Sequence, residues 1–188
     1  MFLDVQGNND VLFCPMASKH VDRRDEWAPG HPCSPDWGAK FSAWKGLSPD
    51  GSPFRFGSYG MNGWLGSIPY VFRELRAYKR CWPTCNVKRA ANVPVFCDCI
   101  LCTISWYEPE PPPYDDALAN GTAYDVCINR HDGAINSLFM DWPARKVGLK
   151  ELWALKWHRQ FDTAGPWTKA GGVKPEDWPE WMRHFKDY

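Results

Sequence analysis

The sequence predicts an α+β domain with an antiparallel β-sheet, short helices and long loops. The chain has 188 residues, the size of one ordinary domain, so we expect residues 1–188 to form a single unit. Its 17 proline and 15 glycine residues favour turns over long regular elements. Strand-like runs are mixed with short amphipathic runs, which is the pattern of the α+β class.

Two regions carry the strongest strand signals. Residues 93–98 (VPVFCD) form a β-branched and aromatic run that is typical of a buried strand. Residues 124–130 and 134–147 are alternating runs on either side of the step from Asp132 to Gly133. This arrangement predicts a β-hairpin with His131 at or next to its turn.

The remaining segments predict short elements joined by loops. Apolar spacing predicts short helices over residues 69–80, 149–157 and 175–185. Residues 20–53 are polar and rich in proline and glycine, so we expect a long loop with little regular structure. Weaker patterns predict a strand within 1–13, an irregular strand at 57–64 and an extended connector at 108–113.

Composition excludes several classes of function. The 22 basic residues balance 22 acidic ones, which argues against a nucleic-acid binder with a basic face. No apolar run approaches the ~18 residues of a spanning helix, so we expect no membrane segment within these residues. Nucleotide-binding loops, G-x-S-x-G elbows and H-E-x-x-H motifs do not occur. Twelve tryptophans indicate either surfaces for sugar rings or a tryptophan-rich core.

The eight cysteines leave three interpretations open. An even number in a loop-rich chain is compatible with a disulfide framework formed in an oxidising compartment, with at least two oxidised pairs. Cys97, Cys99 and Cys102, together with Cys81 and Cys85, have spacings that could bind zinc. Mostly free, buried thiols are the third interpretation.

The segment around the predicted hairpin resembles a known family. Residues 129–133 (NRHDG), followed by Asn136, Phe139 and Asp141, resemble the H-x₉-D-G signature of the prepilin-type, processing-associated pseudopilin family. The runs FCPMASK, SYGMNGW, VPVFCDC, RKVGLKELWALKWHRQFDTAGPW and PEDWPEWM also look like one subgroup of that family. One departure is Trp142, which stands where the signature has glycine, so we expect the tight turn there to be remodelled.

The resemblance implies a fold, a location and partners. It implies a pilin-like headpiece whose antiparallel sheet would pack on an N-terminal prepilin helix, and that helix is absent from these residues. We expect extracellular or cell-surface display by a type II secretion or type IV pilus-like system. Other pseudopilin subunits, contacted through that helix, and polysaccharide are the expected partners, whereas nucleic acid is not.

Polar and aromatic residues predict a site for acidic polysaccharide. In β-elimination, an arginine neutralises the uronate carboxylate while a histidine or tyrosine moves the proton. His131, Tyr59 and Arg130 are the candidate catalytic residues of such a polysaccharide lyase. Candidate substrate-binding residues are Asn62, Asn129, Asn136, Trp64 and Trp106. The alternatives are a non-catalytic pilin subunit and a carbohydrate-binding module, in which His131 would only hold a turn.

A calcium ion is the only metal that the sequence indicates besides zinc. Asp98 and Asp141 could share Ca²⁺ with loop carbonyls, because this hard cation prefers oxygen ligands. The competing interpretation is that each aspartate is solvated or caps a turn. No organic cofactor is expected.

Overall fold

The described part of the chain forms a five-stranded sheet and a separate two-stranded sheet. The computed structural model describes residues 12–19, 38–47, 53–66, 77–107, 109–115 and 122–188. Its strands are β1 (Trp44–Leu47), β2 (Pro53–Gly57), β3 (Tyr59–Asn62), β4 (Pro94–Asp98), β5 (Thr103–Ile104), β6 (Ala134–Phe139) and β7 (Ala144–Gly148). The larger sheet has the order β5-β3-β4-β6-β7, and β1 pairs with β2. Only the β3–β5 pair is parallel among these strands, so the predicted antiparallel sheet is present as a mixed sheet.

The helical segments of the described residues are all short 3₁₀ turns. They are Pro15–Ala17, Ala77–Lys79, Ala90–Asn92, Thr122–Asp125, Leu149–Ala154, Pro175–Asp177 and Glu180–Met182. The helix predicted over 175–185 is broken because Pro179 disfavours helical backbone at Trp178, which is extended at ψ 146°. Most of the predicted helix over 69–80 and of the predicted strand within 1–13 lies outside the described residues. In the part of the chain that is described, no helix has the length and apolarity needed to cross a membrane.

The hairpin near residue 140 differs from its prediction in the position of its turn. Strands β6 and β7 pair along their length and turn over residues 140–143, where Trp142 has a left-handed φ of 80°. Asp132 and Gly133 also form a turn, with φ of 53° and 71°, closed by the His131 N–H on the Ala134 carbonyl at 3.1 Å. This second turn leads into β6 from an irregular segment. The placement of the hairpin turn beside His131 is therefore wrong.

The expectation of a loop over residues 20–53 is corrected in its described part. Residues 44–47 pair with residues 53–57 as β1 and β2, with a register shift between Gly46 and Leu47. The proline and glycine signals at Pro49 and Gly51 stand between these two strands in the sequence. Such signals mark hairpin connections as well as long loops.

Tryptophan side chains form much of the core. Trp106 contacts Trp153 edge to face, with ring centroids 5.2 Å apart, and Trp153 contacts Trp178 in the same way at 5.4 Å. Trp64 and Trp157 are also fully buried. Edge-to-face pairs of this kind are stabilising beyond their buried area. The tryptophan-rich core is therefore the interpretation that holds for these side chains.

Candidate functional site

Three side chains from distant parts of the sequence meet beside the end of β4. Cys14 precedes the 3₁₀ turn Pro15–Ala17, Asp98 is the last residue of β4, and His131 lies in the turn before β6. The Nε2 atom of His131 is 3.2 Å from the Cys14 Sγ atom and 3.1 Å from Asp98 Oδ2. One ligand atom from each residue lies within 4.8 Å of the other two. This Cys14–Asp98–His131 cluster could bind a metal ion.

The carboxylate of Asp98 is fully buried and held on both oxygens. Its Oδ1 atom accepts a hydrogen bond from Arg130 Nη1 at 3.0 Å, in a salt bridge whose two side chains have no solvent exposure. Its Oδ2 atom accepts the backbone N–H of Asn136 at 2.7 Å. These partners fix the direction of the carboxylate toward His131.

Arg130 directs its N–H donors to acceptors inside the protein. Its Nε atom donates to the carbonyl of Lys40 at 2.7 Å, and Nη2 donates to the carbonyl of Ala39 at 2.9 Å. Its Nη1 atom donates to the carbonyl of Ser58 at 2.7 Å as well as to Asp98. The predicted catalytic arginine is therefore a buried connector of loops and strands, with no solvent-facing donor to bind a substrate carboxylate.

Cys14 and Tyr59 contact each other beside Asp98, which is the partner of Tyr59 in the pairing of β3 with β4. The backbone N–H of Cys14 donates to the Ser58 hydroxyl. Burial raises the pKa of the Cys14 thiol, and the negative charge of Asp98 acts in the same direction. Burial also raises the pKa of Tyr59 to about 12, followed by the charge of Asp98 and the contact with Cys14. Both groups therefore keep their protons at neutral pH.

His131 is the partly exposed member of the cluster. Its Nε2 atom contacts a third group, the side-chain Nδ2 of the exposed Asn136, at 3.0 Å. A cysteine–histidine nucleophile needs the thiol on one ring nitrogen and the orienting carboxylate on the other. Here Cys14 and Asp98 both face the same nitrogen. The arrangement is therefore suited to binding a shared atom and unsuited to a proton relay.

The other predicted binding residues have structural contacts. The Asn62 amide is buried and donates to the carbonyls of Pro94 at 2.9 Å and Trp157 at 2.8 Å. Trp64 donates from Nε1 to the Trp106 carbonyl at 3.0 Å, and both indoles are fully buried. Neither indole therefore has a face that a sugar ring can reach, which corrects their assignment to substrate binding.

Asn129 belongs to the turn that positions His131. Its Oδ1 atom accepts the backbone N–H of Gly133 at 2.7 Å. This contact stabilises the turn from Arg130 to Gly133, and its side chain serves the backbone there. Of the predicted site residues, the structure thus brings Tyr59, Arg130, His131, Asn136 and Asp98 together. Asn129 lies in the adjoining turn, whereas Asn62, Trp64, Trp106 and Asp141 lie elsewhere.

The predicted calcium pair is not formed. In the pairing of β4 with β6, Pro94 is opposite Phe139, whereas Cys97 is opposite Ser137. Asp98 therefore lies at one end of this pairing, and Asp141, which is exposed, follows its other end. At about 3.3 Å per residue the two carboxylates are too far apart to share an ion.

The cysteine spacings do not correspond to clusters in the described part of the chain. Cys97 and Cys99 are fully buried, whereas Cys85 and Cys102 are exposed. Cys14, Asp98 and His131 form the one group of three potential ligands found among the described residues. No disulfide joins any two of the described cysteines, so the expected framework is absent from that part of the chain.

The comparisons with known proteins give no relative. No protein-family profile matches the chain, and no curated protein or solved structure is significantly similar to it. The resemblance to pseudopilins therefore stays a prediction from the sequence motifs.

Proposed function

We propose that the chain is a surface-displayed, pseudopilin-like headpiece with a structural rather than a catalytic role. The proposal rests on the hydrogen bonds that Arg130 makes within the protein. This residue directly precedes the histidine of the H-x₉-D segment and links loop carbonyls to the buried carboxylate of Asp98. The neighbouring His131 and Asn129 belong to the same turn and contact protein groups. These residues hold parts of the headpiece together by contacts within the protein. Such a use of the motif is expected of a display subunit.

Polysaccharide lyase activity is the second candidate, because Tyr59, Arg130 and His131 do meet. β-Elimination needs a cation on the uronate and a base for the ring proton. Arg130 is already bound within the protein, and the pKa of Tyr59 near 12 leaves its hydroxyl protonated at neutral pH. His131 alone would have to supply the chemistry, which makes lyase activity the weaker proposal.

A groove elsewhere on the surface is the better candidate for contact with polysaccharide. It has a volume of about 790 Å³ and includes Tyr114, Trp167 and Trp181, none of them fully buried. Four carboxylate residues and one arginine also line it, so acidic groups are in excess: Asp115, Glu176, Asp177, Glu180 and Arg183. Aromatic faces and carboxylates suit neutral or amino sugars, whereas uronates would be repelled. We therefore propose a neutral or cationic glycan as the partner.

The display proposal is tested on intact cells that make the protein. Cys85 and Cys102 are exposed, so a bulky, membrane-impermeant maleimide should label them without lysis if the headpiece is at the cell surface. A variant with both residues replaced by serine is the control for labelling elsewhere. Labelling that appears only after lysis would refute surface display.

The two polysaccharide hypotheses are separated with the purified protein. On a panel of uronic-acid polymers we expect no rise in absorbance from unsaturated ends. A rise that Tyr59→Phe abolishes would establish lyase activity and refute the structural role. Glycan binding is measured separately by tryptophan fluorescence with a neutral glucan, chitosan and a polyuronate. Trp181→Ala should weaken the first two interactions, and preferential binding of the polyuronate would contradict the proposed groove.

A further inference from the structure

We propose that Cys14, Asp98 and His131 bind one divalent transition-metal ion of the zinc class. The ligands would be the Cys14 sulfur, one carboxylate oxygen of Asp98 and the Nε2 atom of His131. Their distances in the structure are 3.2 Å between sulfur and nitrogen and 3.1 Å between oxygen and nitrogen. Tetrahedral zinc, with bonds of about 2.0–2.3 Å, separates its ligand atoms by roughly 3.4–3.6 Å. For these two pairs a shift of a few tenths of an ångström gives that geometry, and all three ligand atoms lie within 4.8 Å of one another.

The convergence of three groups on one nitrogen supports a metal over a hydrogen-bond network. The Nε2 atom of His131 lies within 3.2 Å of Cys14 Sγ, Asp98 Oδ2 and Asn136 Nδ2. An imidazole nitrogen has either one proton or one lone pair, so it can satisfy only one of these groups along its axis. A metal ion at this point would instead bond the nitrogen, the sulfur and the oxygen together.

The groups around the ligands are those that orient a metal site. Arg130 and the backbone N–H of Asn136 hold the two oxygens of Asp98. The Ser58 hydroxyl holds the backbone of Cys14. Hydrogen-bonded ligands of this kind are typical of protein metal sites, because the outer contacts fix the ligand directions.

The open side of the cluster supplies a fourth position. The exposed side chain of Asn136 lies there. A flip of its side-chain amide would place the oxygen atom where the nitrogen atom now lies. Water is the other candidate for this position. Three protein ligands with one open position are typical of an exchangeable ion.

The donor set decides the class of metal. A thiolate and an imidazole favour zinc and other divalent first-row transition metals, whereas calcium and magnesium require sets of oxygen ligands. The charges of Asp98 and Arg130 balance within their salt bridge. Loss of the Cys14 thiol proton to solvent on binding would give a thiolate that partly neutralises a divalent ion. Asp98 would therefore bind a zinc-class ion with Cys14 and His131, and not a calcium ion with Asp141 as the sequence predicts.

Metal binding would join three separate regions of the chain. Cys14 belongs to residues 12–19, Asp98 to β4, and His131 to the turn before β6. A bound ion would therefore hold the N-terminal described segment against the sheet. The binding energy would add to the stability of the folded protein.

Equilibrium dialysis of the chelator-treated full chain against Zn²⁺ tests the proposal. We expect one zinc ion per chain, and Co²⁺ in its place should give a thiolate-to-cobalt charge-transfer absorption. Cys14→Ser and His131→Gln should each weaken binding at least about tenfold and remove or alter the cobalt spectrum. Cys102→Ser is the matched control, because this exposed cysteine is outside the cluster, and it should bind as the wild type does.

Folding of each variant is checked by near-ultraviolet circular dichroism from the buried tryptophans. If Cys14→Ser unfolds, His131→Gln alone decides, because His131 is partly exposed. Zinc should raise the midpoint of thermal unfolding of the wild type in proportion to the logarithm of its concentration. Zinc uptake well below one per chain, unchanged binding in folded His131→Gln, or a preference for Ca²⁺ over Zn²⁺ would each overturn the proposal.

Discussion

Arg130 and Asp98 form a salt bridge of 3.0 Å in which both side chains are fully removed from solvent. Removing two charges from water is costly unless each is fully hydrogen-bonded. The protein meets this condition with four backbone carbonyls around Arg130 and the Asn136 N–H on Asp98. The pair therefore fixes the relative positions of β4, the turn before β6 and the loop at residues 39–40.

Arg130→Lys is expected to destabilise the protein by about 2–5 kcal/mol. A lysine has a single nitrogen, which cannot reach the separate carbonyls that the guanidinium fork contacts. Urea unfolding in the presence of a chelator measures the loss. Arg145→Lys is the matched control: Arg145 pairs with Glu151 at 2.7 Å but is 38% exposed, so its replacement should cost less than about 1 kcal/mol. Equal effects of the two substitutions would contradict the assignment of Arg130 as a buried connector.

Trp142→Gly is expected to stabilise the protein by about 1 kcal/mol. Trp142 has a φ of 80°, where side chains other than glycine are strained, and its side chain is exposed. Its backbone N–H still donates to the Phe139 carbonyl at 2.9 Å, so the turn itself would be retained. The midpoint of thermal unfolding gives the result. A decrease would mean that the indole contributes packing that outweighs the backbone strain.

The hairpin shows how far local signals predict this fold. The β-branched run at 93–98 predicts β4 correctly, because its apolar character is local. The step from Asp132 to Gly133 does form a turn, yet sequence alone could not show that the segment before it is irregular. The true hairpin turn contains Trp142, a residue type that carries no turn signal. Its place in the H-x₉-D-G signature was the one indication of a turn there.

The sequence predicts this site only in part, for a physical reason. It indicates His131, Arg130 and Tyr59 as one catalytic group and Asp98 as a calcium ligand, whereas the structure places Arg130 and His131 on the carboxylate of Asp98. The sequence does not indicate Cys14 as a site residue, since it is 117 positions from His131 and no spacing connects them. Only tertiary structure brings such residues together. Burial also decided the outcome for Trp64 and Trp106, whose surroundings depend on contacts from the whole chain.

Asp125→Asn is expected to raise stability above neutral pH and leave it unchanged near pH 4. Burial, reinforced by Glu110, raises the pKa of Asp125 from 3.8 to about 7 in the folded protein. Between these values the folded state holds a proton that the unfolded state has lost, so wild-type stability falls as pH rises. The full difference is about 4 kcal/mol. Chemical unfolding at pH 4, 6 and 8 measures it, and Glu110→Gln should shift the same dependence toward lower pH. A stability gain at pH 4 equal to that at pH 8 would refute the assignment.

His158→Gln is expected to make the protein gain stability as the pH falls from 7 to 4. His158 is fully buried; burial lowers its pKa from 6.5 to about 4, and the nearby charges of Arg80 and Lys156 act in the same direction. Its Nδ1 atom accepts the Gln160 N–H at 3.1 Å, and its other nitrogen faces the Tyr107 carbonyl, so the neutral ring is the folded form. Below pH 6.5 His158 is protonated in the unfolded state but stays neutral in the folded state. The free energy of unfolding therefore falls as the pH falls toward 4.

On acidification, the neutral His158 lowers the free energy of unfolding by about 3 kcal/mol. The protonation of Asp125 raises it over nearly the same pH range. The wild type should therefore show a flatter pH dependence than either single variant. Asp125→Asn should reveal a loss of stability on acidification, whereas His158→Gln should reveal a gain. Chemical unfolding of both variants and of the double variant between pH 7 and 4 separates the two effects. If His158→Gln shows the same pH dependence as the wild type, His158 is not the neutral, buried base that its contacts indicate.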